Sequence, residues 1–218
     1  MGHKNKSKCI HQIIYLFLVK VVLPLISGIF VKEINNPRNF DGKTFIIASN
    51  HASFLDPMIL TSVFFLKFNK KVYFIAKEDV FENLIIRLVQ EAWGTIQLHK
   101  KDKGKSALKA AESYLRKGKI IGIFPEGERS YDGNLIRAKT GVARLAISAR
   151  VPVLPVAIKG TYKLMARGTI IPKLKREATI NIGNFMHFGK YHNKKVTKSQ
   201  YRIIANKIAK NINALMKQ

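Results

Sequence analysis

Cysteine occurs once in 218 residues, as Cys9, so the chain can form no internal disulfide and no cysteine metal site. Both exclusions fit a reducing, cytosol-facing location. Acidic residues are scarce, 13 Asp and Glu against 39 Lys and Arg, which leaves a formal net charge of +26. Such an excess points to an anionic partner: nucleic acid, an anionic membrane surface, or a phosphorylated or acidic substrate. The plainer alternative is abundant surface lysine, because the charges spread along the whole chain. Internal repeats and low-complexity linkers are both missing. With 47% apolar residues, the length suits one domain with a sizeable core.

Only one stretch is long and apolar. Residues 10–31 follow a basic start (Lys4, Lys6, Lys8) and between Ile13 and Val31 carry one charge, Lys20. The length could span a bilayer. A central lysine costs about 2.5–3.5 kcal/mol on insertion scales, and Pro24 bends a helix. Two shorter helical pieces lying in the interface therefore compete with one span. A signal peptide is disfavoured by the lack of an Ala-x-Ala-like cleavage site, and a buried core helix is the remaining alternative. Residues 32–43 read as a polar connection, with Asn35-Asn36-Pro37 and Asp41-Gly42. The expected division is 1–42, a basic N-terminus with a membrane-contacting helical segment and connection, and 43–218, the main domain.

From residue 44 apolar runs alternate with helical patterns. Strands are expected at Thr44–Ser49, Lys71–Ala76, Thr95–Leu98, Lys119–Phe124, Val153–Ile158 and Ala178–Ile182. Helices are expected at about 57–67, 80–92, 104–117 and 138–149. This order predicts an α/β sandwich around a mostly parallel central sheet. After a Thr197-x-x-Gln200 capping box, Tyr201, Ile204, Ile208, Ile212 and Leu215 form one stripe of a terminal helix expected to pack on the core.

Four stretches carry chemistry. In Ser49–Pro57, His51 and Asp56 lie five steps apart, so a helix would turn about 500° between them and hold them some 140° apart. Only a loop brings them together, and Asp56-Pro57 reads as the N-cap and first residue of a new helix. A carboxylate beside an imidazole fixes its tautomer and makes a general base. Phe124-Pro125-Glu126-Gly127-Glu128-Arg129-Ser130 follows a buried strand, where ligands bind in open α/β sheets. Arg129 offers a fork for phosphate, and Gly127 a close backbone approach. Gly94–Lys100 ends in the basic pair His99-Lys100, with a helix starting near Gly104. Val151–Thr161 carries Pro152 and Pro155 on an apolar strand, which suggests an edge or a wall.

Together these stretches resemble the glycerolipid acyltransferase family. Asn50, His51 and Asp56 match its Asn-His-x-x-x-x-Asp block. Phe124, Pro125, Glu126, Gly127, Arg129 and Ser130 match its Phe-Pro-Glu-Gly-Thr-Arg-Ser block. Gly94 and Ile96 follow a third block, and Val151-Pro152-Val153-x-Pro155-Val156 a fourth, over roughly residues 43–189. Glu128 replaces the usual Thr, and His99-Lys100 the usual Asp-Arg. The resemblance implies direct acyl transfer from acyl-CoA or an acyl carrier protein, with no cofactor and no metal. His51 would be the base and Asp56 its partner. Lys100, Arg129 and Lys139 would hold the acceptor phosphate, with Glu126, Gly127 and Ser130 shaping the pocket. The implied acceptor is 1-acyl-glycerol-3-phosphate, at the cytoplasmic face of the cytoplasmic membrane. Another lysolipid, lyso-aminolipid or glycolipid acceptor is the alternative that Glu128 and Lys100 favour. Nucleic acid is not expected, since the aromatics sit in apolar runs rather than alternating with lysine. A silent basic membrane-surface protein is the remaining alternative, and it would not need His51.

Overall fold

A computed structural model describes residues 2–99, 101 and 104–218, and the side chains of these apart from 2–9, 80 and 85. Seven strands form one sheet: β1 (Val31–Asn35), β2 (Ile46–Ser49), β3 (Val72–Lys77), β4 (Ile96–Leu98), β5 (Ile120–Ile123), β6 (Val153–Lys159) and β7 (Ala178–Ile182). Their order is β1-β7-β6-β2-β5-β3-β4, and every neighbouring pair but β6–β7 is parallel. Among the described residues the α-helices are α1 (Gly2–Phe17), α2 (Leu23–Phe30), α3 (Asp56–Phe68), α4 (Leu84–Trp93), α5 (Lys105–Arg116), α6 (Gly141–Ala149), α7 (Thr161–Leu164) and α8 (Lys198–Met216). The expected strands and helices of the main domain all form, and so does the expected α/β architecture.

Alternation along the strands sorts side chains into two cores. Ile47, Val156, Ile158 and Ile180 face α2 and α3, meeting Phe30, Ile59, Leu60 and Phe64. Ile46, Ala48, Ile121 and Val153 face α5, α6 and α8, meeting Ala111, Leu145, Ile208 and Ile212. The last helix is a core helix, as its stripe suggested, and the Thr197–Gln200 capping box is formed by both of its hydrogen bonds.

Two expectations are overturned. Residues 32–35 are no connection but part of the edge strand β1, which starts at Val31 and is paired with β7 from Val31↔Ala178 to Asn35↔Asn181. The edge position explains the polar sequence: one side of Val-Lys-Glu-Ile-Asn is left to solvent. Conversely, β6 is an interior strand, despite Pro155 within it and Pro152 just before it. Val153 exchanges both backbone hydrogen bonds with Met186, and Pro155 O accepts from Gly183 N–H at 2.9 Å. β7 has ended at Ile182, so the missing proline N–H falls where that ladder is interrupted.

The apolar segment is one helix, Ile10–Phe30, 21 residues long, with a π-helical turn at Leu18–Val22. Pro24 lies two residues after this turn, and the wider turn accommodates a residue that cannot donate an i−4 bond. One side is packed on the domain through Leu18, Leu23, Ile26 and Phe30, while Ile13, Phe17, Val21 and Leu25 are exposed. Lys71 Nζ helps to hold it, 4.4 Å from the Tyr15 ring and 4.7 Å from that of Trp93.

Phe40 closes the core beneath the sheet, its ring 5.2 Å from Phe45, 5.6 Å from Phe64 and 5.0 Å from Phe68. Phe40→Ala is expected to cost about 3–5 kcal/mol in chemical denaturation. A loss under about 1 kcal/mol would show that the aromatic cluster is not what holds this face.

Candidate active site

Because β2 and β5 are parallel neighbours, with Ala48 opposite Ile123, the loops that follow them leave the same edge side by side. His51 starts the first loop and Glu126 sits in the second. Asn50, buried between, pairs both backbone groups of Ile158 on β6, donating to its O at 2.9 Å and accepting from its N–H at 2.8 Å. The side chain thus acts as a short piece of strand and fixes where the loop departs.

The His51 peptide is held from two sides by the second loop. Its N–H donates to Glu126 Oε1 at 2.6 Å, and its carbonyl accepts from Ser130 N–H at 2.8 Å. Glu126 Oε2 takes the N–H of Ile136 at 2.8 Å, so both oxygens of this buried carboxylate are engaged by amides. Ser130 Oγ accepts from Gly133 N–H at 3.1 Å and closes the loop on itself.

The ring is held as firmly. His51 Nδ1 lies 2.9 Å from Asp56 Oδ2, and the ring stacks on Phe124 with centroids 4.0 Å apart and planes within 14°. A carboxylate can only accept, so Nδ1 carries the hydrogen and Nε2 keeps its lone pair. Only 18% of the imidazole side chain is exposed. Phe124 in turn stacks on Phe74 at 5.4 Å.

Asp56 differs from its expected capping role. It is the first residue of α3, and the same oxygen that meets His51 accepts from Ala52 N–H and Ser53 N–H, each at 2.7 Å. These amides belong to the loop before the helix, so the carboxylate folds the His51 loop around itself rather than capping α3. Among the described residues its Oδ1, also buried, has no partner.

The remaining residues singled out in the sequence divide. The Arg129 guanidinium lies 6.0 Å over the Phe54 ring. Lys139 N–H donates to Pro125 O at 2.7 Å, and its ammonium lies over Gly127, 2.8 Å from where a Cβ would stand. Gly127 has φ +74, so the turn disfavours any other residue there, and an added side chain would also displace the Lys139 ammonium. Lys100 lies outside the described residues. Its neighbour His99 follows β4, two strands from β5, with Nδ1 3.3 Å from Glu78 Oε2. Glu128 is 3.6 Å from Arg167, a residue that drew no attention in the sequence. Phe124 was noted as part of a motif, but its stacking on His51 depends on β2 and β5 being neighbours, which only the sheet order reveals.

Burial pushes the Glu126 carboxyl up from 4.5 to about 7; the Ile136 and His51 amides pull it down, and the charges of Asp56 and Glu128 add to the rise. Among the described residues no three His, Cys, Asp or Glu side chains gather as a metal site would need.

The chain is similar to known proteins. The profile described as acyltransferase matches residues 29–159. A chloroplastic protein of Arabidopsis thaliana named 1-acyl-sn-glycerol-3-phosphate acyltransferase is 34% identical over 141 residues, 64% of this chain and 36% of that one. A Bacillus subtilis protein of the same name is 27% identical over 143 residues, 65% of this chain and 68% of that one. The chain thus spans about a third of the chloroplast relatives it matches, 36% of one and 35% of another. The crystal structure of the 1-acyl-sn-glycerophosphate acyltransferase of Thermotoga maritima shares the fold at TM-score 0.69 and 24% identity, covering 100% of this chain and 83% of that one.

A carboxyl whose folded pKa is raised contributes stability fully below its unfolded pKa and loses it as pH rises through the folded one. Glu126 therefore lowers stability progressively between pH 4.5 and about 7. Glu126→Gln, though less stable because its amide can accept from only one of the two N–H groups, should flatten that decline in thermal melts. An undiminished slope would show that the carboxyl ionises freely.

Proposed function

Because the chain belongs to the acyltransferase family, we propose that it moves a fatty acyl chain from an acyl thioester to the free hydroxyl of a 1-acyl-glycerol-3-phosphate, giving phosphatidic acid for phospholipid synthesis. The observation that carries the reading is His51, clamped by Glu126 and Ser130 and oriented by Asp56 through Nδ1, so that Nε2 carries the lone pair. A silent membrane-binding or nucleic-acid-binding protein would need none of these contacts. Nε2 takes the proton of the acceptor hydroxyl as that oxygen bonds to the thioester carbonyl carbon. The C–S bond breaks, and the imidazolium returns the proton to the departing thiolate of CoA or an acyl carrier protein. Asp56 stabilises the imidazolium between the two steps.

Arg129 and Lys139, with Lys100, serve the acceptor phosphate. The chloroplast and Bacillus relatives are named for a phosphate-bearing acceptor. The carboxylate of Glu128, which would repel such a group, is paired with Arg167. The reaction belongs at the cytoplasmic face of the cytoplasmic membrane, where acyl thioesters are made and a lysolipid resides. The exposed apolar side of the helix Ile10–Phe30 supports that location.

His51→Ala should abolish transfer of labelled acyl groups to 1-acyl-glycerol-3-phosphate, by at least about 10²-fold, with the circular dichroism spectrum unchanged; substantial residual turnover would sink the proposal. In steady-state kinetics Arg129→Ala should raise the acceptor's KM far more than the donor's. Equal effects on both would remove Arg129 from the phosphate.

A further inference from the structure

The segment between α7 and β7 is the least protected apolar part of the described chain. Ile170 is 87% exposed, Ile171 78% and Leu174 75%. Nothing in the sequence suggested a role for it, and the reaction as derived does not use it. Three large aliphatic side chains kept in water on one loop form a patch that needs an apolar partner. The segment and its feet carry Lys163, Arg167, Lys173, Lys175 and Arg176; Glu177 meets Lys163 and Lys175, and Glu128 meets Arg167. Apolar tips among basic flanks fit the interface of an anionic bilayer, where the aliphatic groups enter the acyl boundary and the cations meet the headgroups.

Both feet of the loop are tied. At one foot Arg167 Nη1 donates to Arg129 O at 3.0 Å, and its guanidinium lies 4.0 Å over the Tyr131 ring. At the other, Arg176 Nε donates to Val31 O at 2.9 Å and Glu177 N–H to Phe30 O at 3.1 Å. The loop therefore runs from the Arg129 turn to the end of the apolar helix. β6 is parallel to β2 and β5, so a loop leaving β6 emerges at the same edge as His51 and Glu126.

We infer that residues 168–175 are a lipid-inserting loop that seats the His51 edge of the sheet on an anionic membrane surface. The inference rests on the proposed reaction for its biological sense, but its geometry stands independently of the chemistry. Insertion of the tip would press the Arg129 turn, to which Arg167 ties it, against the headgroup layer. A lysolipid acceptor could then reach the site without leaving the bilayer.

The test labels the loop directly. In a Cys9→Ser background, Ile171→Cys carries an environment-sensitive fluorophore, and so, separately, does Lys194→Cys. Lys194 follows Asn193, which Arg150 holds just ahead of β6, at the opposite edge of the sheet. On vesicles of equimolar phosphatidylglycerol and phosphatidylcholine, the label at 171 should brighten and shift to the blue, while that at 194 stays water-like. The Ile170→Ser, Ile171→Ser, Leu174→Ser triple variant should bind these vesicles at least about tenfold more weakly at an unchanged melting temperature. A label at 171 that stays water-like on vesicle-bound protein overturns the inference and leaves acyl transfer standing. Insertion by a protein that transfers no acyl group overturns the reaction and leaves the loop standing. A blue shift that grows with protein concentration without lipid assigns the patch to a second copy of the chain, and also overturns it.

Discussion

Two hydrogen bonds to the backbone of one residue govern this site. The N–H of His51 enters the Glu126 carboxylate and its carbonyl takes the Ser130 N–H, so the loop after β2 and the loop after β5 can adopt only one mutual arrangement. With the peptide fixed, Asp56 and Phe124 leave the imidazole no rotation that keeps both its hydrogen bond and its stacking. In the proposed reaction an imidazole held this way needs no reorganisation when substrate arrives, and positioning would supply most of the rate, since proton abstraction alone is worth about 10²- to 10⁴-fold. The clamp has a cost. It places Glu126 out of water near Asp56, which is why its carboxyl resists ionisation.

The sheet makes the clamp possible. Parallel pairing of β5, β2 and β6 sends their three following loops from a single edge, carrying Glu126 and Arg129, His51, and the basic apolar segment beyond α7. β1 starts at that same edge because it runs parallel to β7, which is antiparallel to β6. The apolar helix consequently ends beside the site rather than behind it. One topological fact thus gathers His51, Glu126, Arg129 and two exposed apolar surfaces on one side of the molecule.

Much of this was legible in the residues, and the reasons for the misses are physical. Buried parallel strands read as short apolar runs, and β2 to β7 were found within a residue or two. β1 was not, because an edge strand with one solvent side carries Lys32, Glu33 and Asn35. The prolines in and just before β6 pointed to an edge, since nothing local announces that the neighbouring strand will end at Ile182. The His51–Asp56 contact was legible from spacing and loop chemistry. The choice between capping α3 and closing the loop was not, because either use satisfies an Asp before Pro57. Roles that depend on strand order, such as Phe124 against His51 and Asn50 against Ile158, carry no sequence signature at all.

The proposed chemistry turns on the imidazole: Asp56 holds the hydrogen on Nδ1 and leaves Nε2 as the acceptor. Long-range ¹H–¹⁵N correlation spectra of histidine-labelled protein, with His51 assigned by its loss in His51→Ala, read this tautomer directly. The expected result for the neutral ring is the Nδ1–H tautomer, giving way to a mixture in Asp56→Asn. A neutral His51 carrying its hydrogen on Nε2, or a tautomer indifferent to Asp56, would contradict it.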